Sequence, residues 1–174
     1  MSNYLQIKKF SDINLDDPFF DSLKSDYNGF KNWFKKKKEK EAYVLEDNGV
    51  QGFLYLKEER DLVEDVNPII EANSILKIGT MKVNPHGTRL GERFIKKAFD
   101  HAIKEDVDII YVTVFRKHQA LIELFKKYGF KEHGTKTTEN GTELVLTKDF
   151  KVENDSLLDY PFINTDGVNK YILS

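Results

Sequence analysis

The sequence of 174 residues contains no cysteine. Disulfides, thiolate metal sites and a cysteine nucleophile are therefore excluded, and a reducing compartment fits. It also lacks charge of one sign. Lys and Arg number 27, Asp and Glu 29, and the formal net charge is −2. That balance argues against an overall basic nucleic-acid binder, whose footprint starts from a strongly basic domain. No stretch approaches the roughly 18 apolar residues of a membrane span. The start, MSNYLQIKKF, has no apolar run behind a basic end, so it does not read as a secretory signal. The four histidines lack metal-ligand spacing, and no metal is expected. These absences lead to the expectation of a cytoplasmic protein without membrane attachment.

What is present is core material. Apolar residues make up 40% and aromatics 13%, too much for a disordered acidic chain. The length suits one domain, with residues over. Tyr4–Ile7 alternates like a short strand. Asp16-Asp17-Pro18 reads as a helix start, with Phe19, Phe20 and Leu23 as the apolar face and Asn28-Gly29 as its end. Phe30, Trp33 and Phe34 mark a second helix. Strands over Ala42–Glu46 and Val50–Leu56 flank an Asn48-Gly49 turn, the clearest hairpin signal in the chain.

Glu58–Asn73, acidic and holding Pro68, reads as a loop. Ile75–Val83 is a strand. Leu90, Phe94, Ile95, Ala98, Phe99 and Ala102 recur at helical spacing and predict a helix over Leu90–Lys104. Asp108–Phe115 is nearly all apolar or β-branched and suits a strand of a parallel sheet. Leu121, Ile122, Phe125 and Tyr128 mark another helix, closed by Gly129. Phe130–Lys136 and Thr142–Lys148 form a last hairpin. The fold class is thus α/β (α+β): a central parallel βαβ unit flanked by antiparallel hairpins. The expected domain spans residues 1–149. The apolar stretch over 150–174 is either the start of a further domain in a longer protein or an edge strand packed back on the first.

The segment that carries chemistry is Lys82-Val83-Asn84-Pro85-His86-Gly87-Thr88-Arg89-Leu90-Gly91-Glu92-Arg93. It runs from a strand end through a glycine-containing loop into a helix start, where unpaired N–H groups and the dipole favour an anion. Gly87 and Gly91 would let backbone approach a ligand. Arg89 and Arg93 could bind phosphate. Glu92 in the first turn complements the helix dipole.

Together with His118-Gln119-Ala120-Leu121-Ile122-Glu123-Leu124-Phe125-Lys126-Lys127-Tyr128-Gly129-Phe130, this segment resembles the GNAT (GCN5-related) N-acetyltransferases. The resemblance runs from Tyr4 to about Asp149. It implies acetyl-CoA as co-substrate, held by Met81, Val83, His86, Gly87, Thr88, Arg89, Leu90, Gly91, Glu92 and Arg93. It also implies transfer of acetyl to a small-molecule or protein amine. The chain departs from the family pattern at several points: the loop after Pro85 is shorter than usual, and His86 takes the usual Arg/Gln position. Arg89 replaces the first glycine of the pyrophosphate motif, His118 stands where Asn is frequent, and Phe125 stands where a tyrosine often protonates the departing thiolate. His118 and Tyr128 are then the catalytic candidates, Tyr128 because it lies about one helical turn from Phe125; the alternative for Tyr128 is a packed aromatic. Carboxylates between Glu58 and Asp65 could face a cationic amine or simply lie exposed. Lys35–Lys38 is a solvated helix face or, in a rival reading, an RNA contact. The other rival is a non-catalytic acyl-CoA-binding or interaction module of a larger protein. Self-association is left open.

Overall fold

A computed structural model describes residues 5–85 and 89–151. Seven strands form one mixed sheet in the order β1-β2-β3-β4-β5-β7-β6. β1 is Gln6–Lys9, β2 Glu41–Glu46, β3 Val50–Val63, β4 Ile70–Val83, β5 Ile109–Phe115, β6 Lys131–Thr138 and β7 Gly141–Asp149. The helices are α1 (Asp21–Asp26), α2 (Phe30–Lys36), α3 (Leu90–Lys104) and α4 (Gln119–Lys127). All neighbouring strands are antiparallel except β4 and β5. The predicted α/β class and element order hold. The expected domain boundary lies one residue before Phe150, and the expectations for residues 152–174 fall outside the described residues. No described helix is long and apolar enough to cross a membrane.

Local signals explain most elements. Asp17 accepts a hydrogen bond from the Phe19 amide at 2.9 Å, capping a short 3₁₀ turn that leads into α1. Asn48 and Gly49 both have positive φ, as the two-residue turn between β2 and β3 requires. The α3 apolar stripe buries Phe94, Ile95, Ala98 and Phe99 completely, against Leu76, Ile110 and Leu146 on one face of the sheet. On the other face, α1 and α2 cover the β1–β4 half with an aromatic cluster of Phe10, Phe20, Phe34 and Phe53. Tight aromatic pairs of this kind add about 0.5–1.5 kcal/mol each beyond area burial.

One expectation is corrected. The segment read as an acidic loop is mostly strand. β3 continues to Val63 and β4 begins at Ile70, with Asp61 opposite Ala72 and Val63 opposite Ile70. Val63, Val66 and Ile70 bury against Ile75, Tyr111 and Val145. The turn of this arm is tied to β6 by a two-way bridge between Asn67 and Thr135, at 2.8 and 2.9 Å. The apolar residues are sparse among charges, so the pattern is hidden until β5–β7 supply the surface they cover.

Candidate active site

β4 and β5 pair from Ile75/Ile109 to Ile78/Val112 and no further. Past that rung the strands part. The divergence coincides with a bulge, since Tyr55 lies opposite Thr80 and Leu56 opposite Ile78, leaving Gly79 as the extra residue. A Cβ on Gly79 would stand 2.8 Å from Cδ2 of Tyr55, so the bulge can pack on that ring only as glycine. The β4 edge over Gly79–Met81 is thereby open toward the gap.

Two cavities meet at this fork. One, about 590 Å³, lies between the end of β4, the start of α3 and the first turns of α4. The other, about 320 Å³, opens beneath α1, α2 and the β6–β7 turn. Leu23, Asp26, Met81, His118 and Leu121 line both. The two chambers thus adjoin where the pairing of β4 and β5 ends.

The cation and anion pattern at the junction is specific. Asp26, at the end of α1, accepts from Lys117 Nζ at 2.6 Å and lies 3.3 Å from His118 Nε2. Its side chain is 12% exposed, against 44% for His118. Burial works to raise the Asp26 carboxyl, but hydrogen bonds from Lys117 and His118 outweigh it and hold it below the usual carboxylate range. Tyr27 donates to Glu143 at 2.7 Å and packs on Phe115 with centroids 5.3 Å apart. Burial and then the Glu143 charge push the Tyr27 phenol up, so it stays protonated. The Asn28 amide donates to Asn140 Oδ1 at 2.9 Å. These bonds pin the α1–α2 turn across the fork onto β5 and the β6–β7 hairpin. Lys82 of β4 pins α1 from the other side, donating to Ser22 Oγ at 2.7 Å and to the Phe19 carbonyl.

The residues expected from sequence fall into three groups. Met81, Val83, Arg89, Gly91 and Glu92 line the larger cavity, and His118 lines both. Leu90 is buried in the core, Arg93 is not among the described lining residues, and His86, Gly87 and Thr88 lie outside the described residues. Tyr128 stands apart from both cavities, in the seam between α3 and α4. Its hydroxyl donates to Glu92, which also holds Arg89 through two contacts at 3.0 and 2.7 Å. Burial first, then Glu92, raises the Tyr128 phenol to about 12. Phe125, at the position of the family's tyrosine, is fully buried.

Two residues at the start of α3 acquire a physical account. Arg89 has φ +54°, the left-handed conformation that a glycine adopts freely, so the chain keeps the turn and loses only the residue best suited to it. A Cβ on Gly91 would come within 2.7 Å of Leu124 Cδ2, so this glycine sets how closely α3 approaches α4. The carboxylates of the arm do not line the smaller cavity. Glu59 accepts from Tyr111 at 2.8 Å, Asp65 pairs with Lys136 at 3.1 Å, and Glu58 contacts His101 at 2.9 Å. Among the described residues, no group of three His, Asp or Glu side chains is arranged to hold a metal ion. Sequence reasoning missed Asp26, Tyr27, Glu143 and Gly79. Only Gly79 carried a signal, a glycine inside a strand pattern.

No protein-family model matches the chain, and no curated protein matches it at a significant level. Solved structures do match by fold. A GNAT-family acetyltransferase from Streptococcus agalactiae superimposes with a TM-score of 0.59 at 11% identity, covering 86% of this chain and 97% of that one. Arabidopsis thaliana NAA60 in complex with acetyl-CoA gives 0.56 at 14% identity, covering 85% and 99%. A chain of the NatC complex bound to Gag peptide and CoA gives 0.52 at 16%, covering 83% and 98%. At such identities the likeness is one of fold, and that fold is the one of the GNAT N-acetyltransferases.

Proposed function

We propose that this chain is an acetyl-CoA-dependent N-acetyltransferase. The observation that supports it is the fork itself: two chambers that share lining residues where β4 leaves β5. Such a junction suits two substrates that bind in separate chambers and react where these meet. The larger chamber, with the α3 start and Arg89 at its rim, suits the CoA diphosphate. The smaller chamber suits the amine.

Acetyl-CoA would supply a thioester at the fork. An amine that is protonated at neutral pH must first lose a proton. His118 is placed to take it, with its Nε2 oriented by Asp26 at 3.3 Å. Asp26 itself is a poorer base, because its neighbours hold it ionised at low pH. The amine nitrogen bonds to the carbonyl carbon, and the charge that develops on oxygen is met by backbone N–H groups along the open β4 edge at Gly79–Met81. The carbon–sulfur bond then breaks. A thiol has a pKa of about 8.5, so the thiolate leaves with little acid help and takes the proton held by His118 or one from water, while the nitrogen gives its second proton to solvent as the neutral amide forms.

Titration calorimetry should show CoA saturating the protein in the micromolar range, and thiol release from acetyl-CoA should depend on an added amine. Saturation by CoA without thiol release across a broad amine panel would favour the second reading, a non-catalytic acyl-CoA-binding module. Phe125 speaks for that reading, because it leaves the family's proton-donor position without a hydroxyl. Absence of CoA binding would defeat both.

A further inference from the structure

We infer that the acceptor is a compact amine carrying an anionic group, a carboxylate or a phosphate, which the floor of the smaller cavity binds through lysines. This rests on the transferase reading above and names its substrate class. Lys57 of β3 and Lys77 of β4 are direct partners across the antiparallel ladder, so they project from the same face on one rung. Like charges placed directly opposite are destabilising. Both line the cavity, and Lys37 from the end of α2 and Lys136 from β6 line it with them.

The neighbouring acidic groups do not neutralise this cluster. Asp26 and Glu143, the carboxylates lining the cavity, already serve Lys117, His118 and Tyr27. From the arm, Asp65 pairs with Lys136, and Glu59 is held by the Tyr111 hydroxyl. Among the described residues, no carboxylate lies at ion-pair distance from Lys37, Lys57 or Lys77. Their close partners are rings instead. Lys77 Nζ lies 5.8 Å from the Tyr111 centroid, and Lys37 Nζ lies 5.9 Å from Trp33 and 5.8 Å from Tyr55. Lys77 is partly buried, and burial and then Lys136 lower its affinity for its proton; the charges of Glu59 and Asp65 oppose this, neither at ion-pair distance, and Lys57 adds to it. Three lysines lining one cavity, with the cavity's own carboxylates spoken for, is an arrangement that an incoming anion completes.

The reach sets the size of the acceptor. Lys77 precedes the Gly79 bulge by two residues, roughly 7 Å along a strand. An anion bound by Lys57 and Lys77 would therefore sit a few bond lengths from an amine at the fork. The volume of about 320 Å³ is at the small end for ligand sites. An amino acid or an aminoalkyl phosphate meets both limits.

The experiment compares charged with neutral acceptors: β-alanine against its isostere β-alaninamide, and O-phosphoethanolamine against ethanolamine. Hexapeptides with Glu or Gln in second position provide a macromolecular arm. Wild type is expected to favour the charged small amines at least tenfold in kcat/KM. Lys77→Met and Lys57→Met should each reduce that preference at least fivefold, mainly through KM, while Lys77→Arg retains it. CoA affinity, measured in the same variants, reports folding independently. Equal kcat/KM for charged and neutral amines in wild type would overturn the proposal, as would a preference that survives Lys57→Met and Lys77→Met together in a variant that still binds CoA. A preference seen only with the peptides would overturn the compact-amine assignment. If no amine is acetylated, calorimetry with O-phosphoethanolamine on the CoA-saturated protein decides. Binding lost in Lys77→Met sustains the anion site while the transferase reading falls; no binding ends the proposal.

Discussion

The two chambers are built on different plans. The larger one takes most of its lining from the end of β4 and the starts of α3 and α4, which are near neighbours in sequence, with α1 closing one side. The smaller one is lined by charges and aromatics from α1, α2, β3, β4, β5 and the β6–β7 hairpin. A chamber of the first kind suits a ligand that every member of a fold shares, because contiguous chain can hold it whatever the rest of the protein does. A chamber of the second kind depends on long-range packing and can be altered one side chain at a time. In the proposed reading, this chain's individuality lies in how the acceptor is held, with the cofactor side kept general.

Substitution at the junction should separate chemistry from binding most sharply. His118→Ala is expected to lower acetyl transfer to an accepted amine by about 100-fold or more, within the range of about 10²–10⁴ for a lost general base. CoA affinity should change by less than about threefold, since in the proposed reading the diphosphate rests on the α3 start and the imidazole acts on the amine. Raising the pH should restore part of the rate in the variant, because more of the amine is then unprotonated. Measured turnover within threefold of wild type would remove His118 from the proton path and leave Asp26 or water as the base.

On the cofactor side the corresponding change is Gly91→Glu. Its Cβ must displace Leu124, and its charge would meet a diphosphate at the α3 start. CoA affinity is expected to fall by about 100-fold, or about 2.7 kcal/mol. Circular dichroism should remain that of a folded protein, since the clash is with the end of a flexible side chain. Gly91→Ala separates the two causes, as it keeps the crowding and omits the charge. If both variants lose CoA equally, helix approach governs the site and electrostatics contribute little.

The same division explains what could be read from sequence. The βαβ unit was legible because α3 shows an apolar stripe at helical period and β5 a continuous apolar run, and both are local signals. The hairpin at Asn48-Gly49 was legible for the same reason. The long arm was not. Leu62 and Val63 alternate weakly among Glu58, Glu59, Arg60 and Asp61, and the surface that Val63, Val66 and Ile70 cover comes from Tyr111 and Val145, far along the chain. Asp26 and Glu143 were invisible in the same way. Each is one carboxylate among 29 acidic residues until folding brings Tyr27 to Glu143 and Lys117 to Asp26.

Acid should act on both chambers, and the sign follows from the lowered carboxylates. Asp26 and Glu92 both have folded pKa values below their ordinary ones; burial opposes this in each, and hydrogen bonds from Lys117 and His118, or from Arg89 and Tyr128, prevail. Groups depressed in this way add stability above the unfolded pKa, near 4, and that contribution is lost as pH falls through the folded value. Unfolding in urea should therefore show stability declining below about pH 4. Asp26→Asn should flatten part of that decline, and Glu92→Gln another part, with the two effects adding because the carboxylates have different partners. A slope unchanged in the double variant would assign the acid sensitivity elsewhere.

The smallest effect is expected at Tyr128, where the cofactor side is held together away from the reacting atoms. Tyr128→Phe removes a hydroxyl that donates to Glu92 and leaves the ring buried in place. A lost hydrogen bond to a charged group costs about 1.5–3 kcal/mol when buried, and less here because Glu92 keeps Arg89 as a partner. A fall in stability of about 1 kcal/mol is the expected result. Turnover should stay within about threefold. A phenol at about 12 is a weaker acid than a thiol at about 8.5, so proton transfer from Tyr128 to the leaving thiolate runs uphill by more than three powers of ten. The proton is also committed to Glu92, and the hydroxyl stands outside both chambers. Measuring urea stability, CoA affinity and turnover in the same variant separates the roles. A tenfold loss of turnover with stability and CoA affinity unchanged would make Tyr128 the donor after all. It would also require α4 to turn toward the fork once both substrates are bound, a movement that the Glu92 contact opposes.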